Sequence, residues 1–133
     1  MVHQHSPGFL AIVQDAKSRV KEVSIDEFCE RLQKGERFIV IDTREDNEWV
    51  KGHLPSAHHL GKGVIERDIE TAIPEKDAPI VLYCGGGFRS ALTADNLQKM
   101  GYTNVISLDG GWRGWNDRGL PVVVPEGVPD RQA

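Results

Sequence analysis

Apolar positions along the chain change period several times, and each change marks an element. Phe9, Leu10, Ile12, Val13, Ala16 and Val20 fall at helical spacing, so residues 9–20 are expected to form an amphipathic helix whose apolar stripe docks on the domain or on a partner. Val23 reads as a short strand. Ser24 or Asp26 then caps a helix through Phe28 and Leu32, which Gly35 stops. At Phe38–Ile41 the pattern becomes a continuous apolar, β-branched run ending in Asp42, and Ile80–Tyr83 repeats that form just before Cys84. Runs that are apolar on every side, separated by helical patterns, predict parallel strands covered on both faces. Val64–Ile73 reads as a helix ending before Pro74. Ser90–Met100, with Ala91, Leu92, Ala94 and Leu97 in register, reads as another closed by Gly101. Val105–Leu108 supplies a further strand and Trp112–Arg118 a last short helix before Gly119 and Pro121. The expected class is α/β: a mostly parallel central sheet of about five strands, helices on both faces, and an additional N-terminal helix. Residues 1–22 are assigned to a leader and its helix, 23–121 to the domain, and 122–133 to a tail.

Length and charge narrow the partners. A chain of 133 residues fits one domain, large enough for a proper core without disulfides or a structural metal. With 16 Lys+Arg against 20 Asp+Glu the net charge is −4, and no basic cluster exists to grip nucleic acid or anionic lipid. The longest uninterrupted apolar stretches, Phe9–Val13 and Ile80–Cys84, fall far short of the roughly 20 residues a membrane helix needs. The opening residues lack the cationic and apolar regions of an export signal, so a cytoplasmic location is expected, with both cysteines as thiols.

In an open parallel sheet ligands bind beyond the carboxyl ends of the strands, and Cys84 lies at such a place. The segment Cys84-Gly85-Gly86-Gly87-Phe88-Arg89-Ser90 joins a buried strand to an amphipathic helix. Consecutive glycines permit positive φ and bring backbone N–H groups together around one point, here the sulfur. The following helix start and Arg89 add positive charge, and thiols in such settings ionise near or below neutrality. Cys84 is therefore the candidate nucleophile. The alternative reading is a tight turn with Cys84 as a small buried residue. Three glycines beside an arginine, where a turn needs one, favour a backbone that wraps an anion.

Several segments resemble the rhodanese (sulfurtransferase) domain family. Trp49-Val50-Lys51-Gly52-His53-Leu54-Pro55-Ser56-Ala57 is similar to its aromatic-x-x-Gly-His-hydrophobic-Pro-Gly-Ala segment, with Ser56 in place of the usual Gly. Cys84-x-x-Gly87-x-Arg89-Ser90 is similar to the active-site loop of single-domain members. Leu108-Asp109-Gly110-Gly111-Trp112-Arg113-Gly114-Trp115 resembles the C-terminal signature, and Asp42-Thr43-Arg44 the Asp-x-Arg after the second strand. The resemblance implies that Cys84 takes a sulfane sulfur from a donor such as thiosulfate and passes it to cyanide or another thiophile. Backbone N–H groups of Gly85, Gly86, Gly87, Phe88, Arg89 and Ser90 would hold the persulfide, Arg89 would attract the donor or brace the loop, and Asp42 and Arg44 would lie in support. It implies no metal and no organic cofactor, and as partners a small sulfur donor and a thiophilic acceptor, or a protein carrying a persulfide. Relatives active on thiosulfate often carry a cation one or two places after the Cys. Both positions are glycine here, so weak thiosulfate affinity is expected, with Arg89 as the loop's one cation. The rival readings are a recognition or sulfur-carrier module without turnover, and a phosphatase or arsenate reductase. The last requires Cys-x5-Arg, whereas Arg89 leaves Cys-x4-Arg.

Other candidates have structural expectations. His53 should satisfy a hydrogen bond within its turn, and His58 and His59 should be surface residues rather than metal ligands. Asp42 and Arg44 should form a buried brace with Glu48. Cys29 should sit in the core, and Trp112 and Trp115 should pack.

Overall fold

Ser24 sets the first boundary inside the domain. Its side chain accepts the Glu27 N–H at 3.1 Å and so starts a helix directly after a short strand. The computed structural model describes residues 5–125. In chain order the elements are α1 (Pro7–Lys17), β1 (Lys21–Val23), α2 (Ile25–Gln33), β2 (Ile39–Asp42), α3 (Asp46–Trp49), β3 (His58–His59), α4 (Ile65–Ala72), β4 (Ile80–Tyr83), α5 (Phe88–Lys99), β5 (Val105–Leu108) and α6 (Gly111–Asp117). The strands form one parallel sheet in the order β1-β5-β4-β2-β3.

The two faces of β4 explain its unbroken apolar run. Ile80 and Leu82 point into one core with Ile41, Ile65, Ile69, Leu97 and Val105, while Val81 and Tyr83 point into the other with Phe28, Leu54, Leu108 and Trp115. Helices α4 and α5 cover the first face, and α2 and α6 the second. Each of these side chains is nearly or wholly excluded from water, and burial of a residue of that size stabilises by about 1.5–3 kcal/mol.

Helix α1 begins and ends earlier than its apolar pattern suggests. Pro7 occupies the first turn, where its missing N–H is harmless, and Val20 leaves the helix to pack against the α4/α5 core. Val13 and Ala16 are buried as the helix lies along α5. Arg19 clamps it there, donating to both carboxylate oxygens of Asp95 at 3.0 and 2.7 Å. These hydrogen bonds hold the Asp95 carboxyl below the usual carboxylate range.

The edge strand β3 and the short helix α3 carry no apolar run and were not anticipated. His58 and His59 form this edge strand, paired to Ile41 and Asp42, with His58 exposed as expected and His59 half-buried. What holds this edge is aromatic: the Trp49 ring stacks on His53 at 3.6 Å and on His59 at 4.9 Å, and His59 Nε2 donates to the Arg44 carbonyl at 2.8 Å. His53 donates from Nδ1 to the Leu54 carbonyl at 2.8 Å, as its turn suggested. Beyond α6 the chain stays attached through Val123, which exchanges backbone hydrogen bonds with His53 at 2.8 and 2.9 Å. The rest of the expected tail, residues 126–133, lies outside the described residues.

Candidate active site

Strand β4 ends at Tyr83, and Cys84 follows it into the loop before α5. The sulfur lies at the floor of a cavity of about 270 Å³, and the residue is 1 % exposed. The backbone N–H of Gly87 donates to Sγ at 3.2 Å and that of Ser90 at 3.3 Å. Ser90 Oγ stands 3.5 Å from Sγ and 2.8 Å from Ser107 Oγ on β5. Among the described residues, the N–H groups of Gly86, Phe88 and Arg89 have no acceptor. With the start of α5 directed at the same point, the cradle favours negative charge on the sulfur or on an atom bound to it.

The three glycines play different parts. Only Gly87 takes positive φ, at 100°, as the residue from which α5 starts. Gly85 and Gly86 have ordinary backbone angles. A Cβ on Gly86 would collide with the Arg113 guanidinium, and one on Gly85 would lie 3.0 Å from Arg113 Nη1 and 3.2 Å from Arg89 Nη2. Those positions are bare because cations lie over them.

Of the two parts open to Arg89, the structure shows the bracing contact, and a further cation reaches the cavity from outside the loop. Arg89 is engaged, donating to the two Glu48 oxygens at 3.1 and 3.2 Å. Glu48 therefore braces the loop instead of joining Asp42 and Arg44. Burial pushes the Glu48 carboxyl up, but Arg89 and the Glu45 N–H pull it down further, leaving it below its usual value. The Arg89 guanidinium is correspondingly raised, chiefly by that hydrogen bond. A second cation, Arg113, comes from α6 and lines the cavity beside Arg89. Its place in sequence, next to Trp112 in the C-terminal signature, gave no sign of this. The signal lies in the fold: the N–H groups of Trp112 and Arg113 donate to the carbonyls of Cys84 and Gly85 at 2.8 and 3.0 Å, which seats α6 directly on the loop.

Asp42 and Arg44 form a buried pair behind the site, with Nη2 to Oδ2 at 2.7 Å. Arg44 also donates to the Gly52 carbonyl at 2.6 Å and lies 4.6 Å over the Trp112 ring. It thereby ties the end of β2, the Gly52-His53 turn and α6 into one block, away from the cavity. Cys29 packs against the core beside Phe28, and its thiol is pushed up by burial and by Asp26. Trp115 is buried and donates to the Pro121 carbonyl at 2.7 Å. Among the described residues no group of acidic, His or Cys side chains is arranged to hold a metal ion, and no helix is long and apolar enough to cross a membrane.

Comparison with known proteins adds a match to the model of the rhodanese-like domain over residues 24–118. The chain belongs to the rhodanese-like domain family. A sulfurtransferase of Allochromatium vinosum is 34% identical over 108 residues, a span of 81% of this chain and 99% of that protein. The thiosulfate sulfurtransferase GlpE of Pseudoalteromonas translucida is 33% identical over 95 residues, covering 71% of this chain and 88% of the relative. A solved structure from Rhodopseudomonas palustris, described as a "Possible Tyrosine Phosphatase" of unknown function, superposes with TM-score 0.80 at 27% identity, covering 92% of this chain and 99% of the other. The rhodanese-like match includes Cys84 and Arg113 but begins after α1.

Proposed function

We propose that the protein is a sulfurtransferase in which Cys84 carries the sulfur as a persulfide. The observation that carries the reading is the pair of N–H groups, from Gly87 and Ser90, directed at a sulfur on the floor of a cationic cavity. The Cys84 thiolate attacks the outer sulfur of a donor such as thiosulfate, the donor's S–S bond breaks, and sulfite leaves with the electron pair. The thiol proton goes to solvent. A thiophile such as cyanide then attacks the terminal sulfur of the persulfide and restores the thiolate, releasing thiocyanate.

Each part of the loop has a task in these steps. Gly87 and Ser90 hold the Cys84 sulfur, and the N–H groups of Gly86, Phe88 and Arg89 are available to the added sulfur as it extends into the cavity. Ser90 Oγ links Cys84 Sγ to Ser107 Oγ, so a chain of hydrogen-bonding groups runs from the sulfur to β5. Arg113 attracts the donor's anionic group, while Arg89, held by Glu48, fixes the loop.

Phosphatase chemistry is less well supported. Its loop must enclose a tetrahedral oxyanion with an arginine aimed inward, and here Arg89 comes one residue early and is turned to Glu48.

Incubation with thiosulfate followed by intact-mass measurement tests the proposal. Wild type is expected to gain one sulfur atom that cyanide removes as thiocyanate, and Cys84→Ala to gain none. Uptake by Cys84→Ala overturns the assignment, and so does added mass that cyanide does not discharge, since a persulfide yields thiocyanate.

A further inference from the structure

One wall of the Cys84 cavity does not come from the rhodanese-like domain. His5 and Phe9, from the segment that runs into α1, line it together with Phe88 of the loop. Their rings form a closed set: His5 lies 5.2 Å from Phe9 and 4.9 Å from Phe88, and Phe9 lies 6.2 Å from Phe88, all tilted. Lys17, from the far end of α1, stands 5.1 Å from the centre of the Phe88 ring. The Arg19–Asp95 ion pair and the burial of Val13 and Ala16 hold the helix that carries Phe9 against α5. The wall is thus fixed by the fold.

Arg89, held by Glu48, and Arg113 line the same cavity, so aromatic rings and guanidinium groups are brought together around one sulfur. Thiosulfate is a small, fully hydrated anion. It can use the cations and the N–H cradle but has nothing to place on three aromatic rings. A volume of about 270 Å³ compares with about 30 Å³ for each water in the liquid, which leaves room beside the sulfur for an organic group. A group against the rings would lose water on both surfaces and gain ring contacts.

We infer that His5 and Phe9 form a specificity wall selecting sulfane donors whose leaving group carries an apolar organic substituent as well as negative charge. An organic thiosulfonate has this chemistry, since one oxygen of thiosulfate is replaced by carbon. Cys84 attacks its terminal sulfur, the bond to the sulfonyl sulfur breaks, and the sulfinate leaves with the electron pair. The persulfide formed is the same, and no external oxidant or reductant enters. The inference rests on Cys84 as sulfur carrier and adds what the carrier accepts.

Benzenethiosulfonate and thiosulfate, each with cyanide as acceptor, form the test on the full chain. For wild type kcat/KM is expected to be at least about tenfold higher with the aryl donor, and the difference to lie in KM, as binding shared by ground and transition states requires. In Phe9→Ala the ratio of the two kcat/KM values should fall about tenfold, the effect of losing one good ring contact and its buried area. His5→Leu, which keeps an apolar filler, should lower it less. An unchanged ratio in Phe9→Ala, with α1 still docked by circular dichroism and melting temperature, overturns the inference. So does a wild-type preference for thiosulfate. Neither result touches the persulfide, which fails only if Cys84 gains sulfur from neither donor.

Discussion

Replacing Gly111 with alanine separates backbone strain from the docking of α6 on the active loop. Gly111 has φ +51°, and a Cβ there would collide with the Cys84 carbonyl oxygen and approach the Gly85 carbonyl carbon to 3.0 Å. Both are backbone atoms, so no side chain can swing aside. Gly119 has φ +67° and nothing within 4 Å of an added Cβ, which makes it a matched control. Left-handed geometry costs an L-residue about 1–2 kcal/mol, and the unfolded-state entropy lost on replacing Gly returns about 0.4–1 kcal/mol, so Gly119→Ala should destabilise by about 0–1.6 kcal/mol. Those effects are common to both sites. At Gly111 the clash must also break or stretch the hydrogen bonds from Trp112 and Arg113 to Cys84 and Gly85, each contributing about 0.5–1.5 kcal/mol. Gly111→Ala should therefore be about 1–3 kcal/mol less stable than Gly119→Ala. With a urea slope of about 1–3 kcal/mol per molar, the two midpoints should differ by about 1 M, and Gly111→Ala alone should lose sulfur uptake because the loop has moved. Equal midpoints and equal uptake would refute the view that α6 sets the geometry of the loop.

Two further outcomes follow from features of the same block. Ser56 is the one non-glycine among the described residues with positive φ, at 62°; Ser56→Gly should raise stability by about 0.5–1 kcal/mol, read as a higher melting temperature, and a fall would refute the strain. Glu48→Gln removes the partner of Arg89, and because both side chains are about a third exposed the loss near neutrality should be about 0.5–1 kcal/mol. The folded-state Glu48 carboxyl lies below its ordinary 4.5, so the gap between wild type and Glu48→Gln should be full above about pH 5 and close as pH falls through the lowered value, seen in denaturation midpoints against pH; a gap that persists at the acid end would refute it.

Strands with buried faces on both sides were readable because unbroken apolar, β-branched runs such as Phe38–Ile41 and Ile80–Tyr83 stand out from the helical patterns around them, and cap residues such as Ser24 and stops such as Gly35 announced the helices between them. The loop was readable for the same reason: a cysteine directly after such a strand, before a helix, has few places to go. Strand β3 escaped notice because its pairing depends on Trp49 stacking against His53 and His59, a contact between residues up to ten apart that no local period encodes. Helix α3 was missed because one turn is too short to show periodicity. Its start is marked only by the reciprocal bonds between Glu45 and Glu48.

The placement of charge follows a different logic. Counting cations along the loop finds Arg89 alone and leaves open whether it attracts the donor or braces the loop. A parallel sheet instead gathers residues from the carboxyl ends of several strands, and the balance is struck there: α3 brings Glu48 to Arg89, while the turn after β5 brings Arg113 across Gly86. The glycines after Cys84, where some relatives carry a cation, are then no deficit of charge. A side chain at position 86 would exclude the Arg113 guanidinium from the place it occupies, so positive charge supplied from α6 and a bare loop beneath it are two sides of one steric requirement.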